Sequence, residues 1–160
     1  VIIDAILNSK YKETLDKGIV FIFQINDLSG IKMCDEDIVV ILSNLLNNAM
    51  KHNESGTHIK IGMYRKNGYI YILVADSGRR IPGELAEHLF EPFTKGDVSR
   101  KSGSRSGLGL SIAKKIIEMH GFQMDFIQQL DEKKIPQIAG YTKEFVIQIA
   151  DDSYDSSLTA

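Results

Sequence analysis

Apolar and polar positions change rhythm along this chain, and each change marks an element. Val1 to about Gly18 spaces Ile3, Ala5, Ile6 and Leu15 at a loose helical interval that stops at Asp16-Lys17-Gly18, which predicts a helix. Ile19 to Ile25 is β-branched and aromatic and breaks at Asn26-Asp27, the pattern of a strand. From Asp37 to His52 the rhythm is helical, with Ile38, Ile41, Leu42, Leu45 and Ala49 on one side. His58 to Arg65 alternates, Lys66-Asn67-Gly68 signals a hairpin, and Tyr69 to Ala75 supplies its second strand.

Asp76 to Ser106 loses the rhythm and is rich in Gly, Ser and charge, apart from a helical turn around Glu84 to Leu89. A stretch of that length reads as a functional lid or a loop. Gly107 to His120 resumes helical spacing through Leu108, Ile112, Ala113, Ile116 and Ile117 and stops at Gly121. Gln123 to Gln128 and Lys143 to Ile149 read as closing strands, with a turn near Pro136 and Gly140. The order groups antiparallel strands together, which predicts an α+β fold. Its expected form is a two-layer α/β sandwich, a mixed and mostly antiparallel sheet on about three helices. One domain over residues 1–150 is expected, followed by an acidic, Ser-rich and loose tail at 151–160.

Composition narrows the function classes. With 160 residues, 43% of them hydrophobic, the chain has enough apolar surface for one real core. Lys and Arg total 19 against 21 Asp and Glu, so a surface built to coat nucleic acid is not expected. The single cysteine, Cys34, excludes an internal disulfide framework and a thiolate zinc cluster. No apolar run reaches the roughly 18 residues that a membrane span needs, so this domain is expected to make no membrane contact. A start at Val1 rather than methionine suggests a segment of a longer protein.

Three constellations carry candidate chemistry. On the helix ending at His52, Asn44, Asn48 and Lys51 fall within a stripe of roughly 60°. Asparagine is a poor helix former, so Asn44, Asn47 and Asn48 in mid-helix want a reason beyond propensity. An amide oxygen suits Mg²⁺, which takes substrate phosphates as further ligands, and Lys51 lies one turn on. The alternative is a solvated face of an amphipathic helix. Asp76-Ser77-Gly78 follows a buried strand, where a carboxylate can accept from a base amino group and glycine permits close approach of a ring; a plain turn is the alternative. Ser104 to Leu110 opens a helix with glycines, where free N–H groups and the dipole favour phosphate, or where the chain simply hinges.

The succession of these pieces resembles a known family. Asn44-Leu45-Leu46-Asn47-Asn48-Ala49-Met50-Lys51-His52 is similar to the N box of sensor histidine kinases, and Asp76-Ser77-Gly78 to their first glycine box. Leu89-Phe90-Glu91-Pro92-Phe93 is similar to their F box and Gly107-Leu108-Gly109-Leu110 to their second glycine box. The resemblance covers about residues 1 to 150 and implies an ATP-binding catalytic domain with the Bergerat fold, shared with gyrase, MutL and the heat-shock ATPases. It implies that Asn48 ligates Mg²⁺, that Asn44 and Lys51 attend the phosphates, and that His52 sits near ribose and phosphates. Asp76 would bind the adenine amino group, with Gly78 and Ile81 flanking the ring. The amides around Ser106, Gly107, Leu108, Gly109 and Leu110 would hold the phosphates. Phe90 and Phe93 would anchor a lid on which Lys95, Arg100, Lys101 and Arg105 give a positive surface.

The same resemblance implies transfer of the γ-phosphoryl group to a histidine on a dimerisation hairpin outside this chain, then to a response regulator receiver domain. The fragment is expected to be monomeric and cytoplasmic, and the full-length protein a homodimer that a membrane segment could anchor. Gyrase-like ATPases carry a glutamate where this chain has Asn44; asparagine cannot serve as a base, which suppresses hydrolysis and suits transfer to a side chain. His52 lies in the N box, and His58, His88 and His120 read as structural rather than phosphoacceptor histidines. Two departures stand out: Arg80 and Arg105 replace usual glycines, and a bulky residue at positive φ costs on the order of 1 kcal/mol or more. They motivate two competing readings, a degenerate nucleotide-binding or interaction module and, on the shared fold, an anti-sigma-type serine kinase.

Overall fold

The computed structural model describes residues 2–25, 27, 30–92, 109–128, 140–154 and 157. Its elements are α1 (Ile2–Asp16), β1 (Val20–Gln24), α2 (Asp35–His52), β2 (His58–Lys66), β3 (Tyr69–Asp76), α3 (Gly83–Glu87), α4 (Gly109–Met119), β4 (Gln123–Gln128) and β5 (Lys143–Ala150). The strands form one sheet in the order β1-β2-β3-β5-β4. Only β1 and β2 run parallel, because α2 carries the chain back between them; the other neighbours are antiparallel. Among the described residues no helix is long and apolar enough to cross a membrane.

Alternation along the strands assigns the faces. Ile59 and Ile61 of β2, Ile70, Ile72 and Val74 of β3, Phe145, Ile147 and Ile149 of β5 and Met124 of β4 are buried in one core with Leu42, Leu45 and Leu46 of α2 and Ile117 of α4. α2 starts at Asp35, two residues earlier than the spacing predicts, and Asp35, Glu36 and Asp37 face the positive end of its dipole while Lys51 and His52 close the other end. The α+β two-layer arrangement matches the expectation, as does each of the strands.

The chain beyond β5 begins differently from a loose tail. Asp151 bridges to Ile31, its Oδ2 accepts from Arg65 Nη1 at 2.7 Å, and Asp152 Oδ1 lies 3.3 Å from Lys32 Nζ. Hydrogen bonds from Ser153 and then Arg65 hold the Asp151 carboxyl below its ordinary range. Here the acids are the fastening groups. A lysine and an arginine on neighbouring segments meet them.

Candidate functional site

The register of the sheet sets one polar row at the end of its helix-facing side. Ile59 pairs with Asp76, Asp76 with Lys143, and Lys143 with Gln128, so all four point to the same face. Asp76, Lys143 and Gln128 are 5%, 5% and 6% exposed. Buried polar groups persist only when they are paired, and these are. Asp76 Oδ1 accepts from the Gly78 N–H at 2.9 Å and lies 2.8 Å from Lys143 Nζ.

The same row fixes the loop that follows β3. Thr142 Oγ1 donates to the Gly78 carbonyl at 2.6 Å, and the Thr142 N–H donates to the Asp76 carbonyl at 2.9 Å. Lys143 Nζ donates to the Arg79 carbonyl at 2.5 Å. Gln128 clamps Ile81 with both ends of its amide, accepting from its N–H at 3.0 Å and donating to its carbonyl at 2.9 Å. The Asp76-to-Ile81 backbone, which carries the candidate base-binding residues, is thus held by β4 and β5 side chains far away in sequence.

Gly78 is required by a close approach. A Cβ built there would stand 1.6 Å from Asn53 Oδ1 and 2.8 Å from its Cγ, although the Gly78 φ is not positive. Asn53 is itself tethered by donation from Nδ2 to the Ala49 carbonyl at 2.6 Å, so it has little room to yield. Arg80 sits at no positive φ and is exposed, so the cost that a bulky residue meets at positive φ does not arise there. The side chain leaves the loop for solvent instead of bending it. Beside this loop, His52, Asn53 and Glu54 face Ser77, Gly78 and Arg79 across a cavity of about 430 Å³.

The helices bring the second half of the site together. α2 packs against α4, and a Cβ at Gly109 would meet Asn44 Oδ1 at 3.2 Å, so the asparagine amide rests against the glycine that opens α4. Gly109 and Leu110 lie in the first turn of α4, where backbone N–H groups have no intrahelical acceptor. The Leu110 side chain is buried, so only its backbone is suited to a ligand. Asn48 is half-buried, and Lys51 and His52 are exposed at the end of α2. Asn47 has a different task, accepting from Lys10 Nζ at 2.6 Å and tying α1 to α2.

Phe90 packs edge-on against Phe145, with centroids 6.0 Å apart, and carries Lys114 Nζ over its ring at 4.4 Å. Phe93, Lys95, Arg100, Lys101, Arg105, Ser106, Gly107 and Leu108 lie outside the described residues. His88 is engaged by Glu91 and His120 by Asp37, at 2.9 and 2.8 Å. Sequence reasoning missed Asn53, Gln128, Thr142 and Lys143. Their signal was faint but present: Gln128 and Lys143 occupy inward positions of alternating strands, where a polar side chain needs a reason.

Residues 34–152 match the family model described as histidine kinase-, DNA gyrase B- and HSP90-like ATPase. The chain belongs to this family. Within it, the chain is 39% identical over 80 residues to the sensor histidine kinase YvrG of Bacillus subtilis (strain 168), covering 50% of this chain and 14% of that protein. It is 41% identical over 96 residues to the sensor histidine kinase YkoH of the same organism, covering 59% of this chain and 20% of that protein. It therefore spans a fifth or less of the length of these curated relatives. The nucleotide-free catalytic domain of histidine kinase ThkA superposes with a TM-score of 0.70 at 25% identity, covering 92% of this chain and 91% of that one. Membership of this ATPase family makes the chain an ATP-binding domain.

The donor set also fits a divalent ion of the kind that accompanies nucleotide phosphates. Among the described residues no cluster of three His, Cys, Asp or Glu side chains could cage a metal. Asn48 offers a half-buried, neutral amide oxygen one turn of α2 from Asn44, a donor suited to Mg²⁺ that keeps waters and phosphate oxygens as its other ligands.

Proposed function

We propose that this domain binds Mg²⁺-ATP and passes its γ-phosphoryl group to a histidine on a helical dimerisation hairpin of the same full-length protein, for relay to a response regulator receiver domain. The observation that carries the reading is the fixed Asp76 carboxylate. It is buried at the end of a strand, and the hydrogen bonds it takes from the described residues fall on Oδ1, which leaves Oδ2 for the amino group of a base. Gly78 and Ile81 flank the ring from a loop whose backbone is already pinned, so little ordering entropy is lost on binding.

At the other end, Asn44, Lys51 and the opening amides of α4 attend the phosphates, with His52 near the ribose. Gly107, Leu108, Ser106, Arg105, Lys95 and Phe93, outside the described residues, are assigned to the phosphates and their covering segment by the resemblance to sensor histidine kinases alone. Asn48 would hold Mg²⁺, which neutralises phosphate charge when bound. Asn44 has no basic oxygen to activate water, so the site favours a protein acceptor over hydrolysis. The domain acts in the cytoplasm, and the full-length protein is a homodimer.

Calorimetric titration with a non-hydrolysable ATP analogue, with and without Mg²⁺, tests the first half. Micromolar, Mg²⁺-sensitive binding that Asn48→Ala uncouples from the metal is expected; unchanged affinity in that variant sinks the metal assignment. Mixing the domain with the hairpin of its own full-length protein and γ-labelled ATP tests the second half, with acid-labile label on the hairpin expected. Acid-stable label would indicate a serine kinase, and no nucleotide binding at millimolar concentration a degenerate module.

A further inference from the structure

Asp76 has a buried cationic partner, Lys143, for which base binding by the carboxylate alone gives no reason. Lys143 is a buried ammonium at the start of β5, directly across the ladder from Asp76, on a face whose other rows are apolar. Among the described residues it has two acceptors, Asp76 Oδ1 at 2.8 Å and the Arg79 carbonyl at 2.5 Å. An ammonium has three protons. One proton is thus left on a nitrogen that stands 2.8 Å from the carboxylate that takes the base.

We propose that Lys143 reads the adenine ring nitrogen N1 while Asp76 takes the adjacent amino group. The adenine edge presents an N–H donor beside a lone-pair acceptor, and the Asp76–Lys143 pair carries the complement, a carboxylate oxygen beside an ammonium proton. Both groups are nine-tenths buried or more, so neither is dissolved in solvent before the base arrives. The pairing also sets orientation. Lys143 ties the carboxylate to the loop at Arg79, so that the amino-binding oxygen and the N1-binding proton are presented by one rigid unit. Lys143 is then a specificity-determining residue, and a side chain on β5 has a part in recognising the base.

The inference rests on the reading of Asp76 as the base-binding carboxylate, and the experiment separates the two. Affinities for ADP and for 1-deaza-ADP, in which N1 is replaced by C–H, are measured by calorimetry on the unsubstituted domain, on Lys143→Met and on Asp76→Asn. The unsubstituted domain should bind 1-deaza-ADP about tenfold more weakly than ADP, the scale of one hydrogen bond to a charged group. Lys143→Met should bind the two ligands alike. If Lys143→Met keeps the preference for ADP, or the unsubstituted domain never had one, the proposal is overturned. Asp76→Asn with undiminished ADP affinity instead overturns the placement of the base at Asp76. Should Lys143→Met fail to fold, the ¹⁵N resonance of Lys143 Nζ in the unsubstituted domain decides: a shift with ADP that 1-deaza-ADP does not produce is expected, and equal shifts with both refute the proposal.

Discussion

Two rows of the same sheet face teach different lessons. Met63, Ile72, Ile147 and Met124 form one row across β2, β3, β5 and β4; Ile59, Asp76, Lys143 and Gln128 form another, two steps along each strand. Both are shielded, and both come from one unbroken register. The first is apolar throughout and anchors α2 through Ile38, Ile41 and Leu42. In the second, Asp76 and Lys143 pair with each other, and all three polar side chains bond the loop after β3 rather than the core. Burial thus serves stability in one row and geometry in the other, and the switch from one to the other marks where fold ends and site begins.

Substitutions that strike one row and spare the other sharpen the contrast. Ile72→Ala removes a side chain that is 1% exposed and should lower stability by about 2–5 kcal/mol in urea unfolding, with nucleotide affinity in the folded protein unchanged. A parallel collapse of affinity would show that the two rows are not separable. Gln128→Leu should cost less, about 1–3 kcal/mol, because it leaves the Ile81 N–H and carbonyl without their partner. Here the affinity should fall as well, and unchanged binding would remove the clamp from the site. Gly78→Ala should weaken binding about tenfold, or about 1.4 kcal/mol, since its Cβ meets Asn53. The double variant with Asn53→Ala should recover most of that loss; if it does not, the glycine serves the ligand and not its neighbour.

The sequence was legible where the physics is local. Helical spacing located α2 and α4, alternation located the β2–β3 hairpin, and the asparagine stripe pointed to the face of α2 on which Asn44 meets Gly109. Asp76 was visible as a carboxylate ending an apolar strand. Its supports were not, because a pairing of Asp76 with Lys143 exists only once β5 lies beside β3. Read alone, Thr142-Lys143 is an ordinary strand start and Gln128 an ordinary strand end. Gly78 was visible as a glycine, but its cause is the Asn53 side chain at the end of α2, a whole hairpin away in sequence. Arg80 looked strained only because glycine at that place suggested positive φ, and the backbone there has none.

The smallest expected effect lies outside both rows and serves as their control. α2 and α4 run antiparallel, so that Asn44 meets Gly109 at the site and Asp37 meets His120 at the far end. The His120 hydrogen bond, then that of the Cys34 thiol, holds the Asp37 carboxyl below its ordinary value of 3.8. A depressed folded pKa stabilises the fold above the unfolded value, and that stabilisation is lost as pH falls through the folded one. Unfolding midpoints measured from neutrality down through that window should show Asp37→Asn less stable at neutral pH, with the gap to the unsubstituted domain closing in acid. The exposed pair is screened by solvent, so the gap should be small. A gap that stays constant with pH would mean that the charge on Asp37 contributes nothing. Nucleotide affinity should not change in this variant, because neither row of the sheet includes Asp37 or His120, whereas a loss would tie the far ends of α2 and α4 to the site they open.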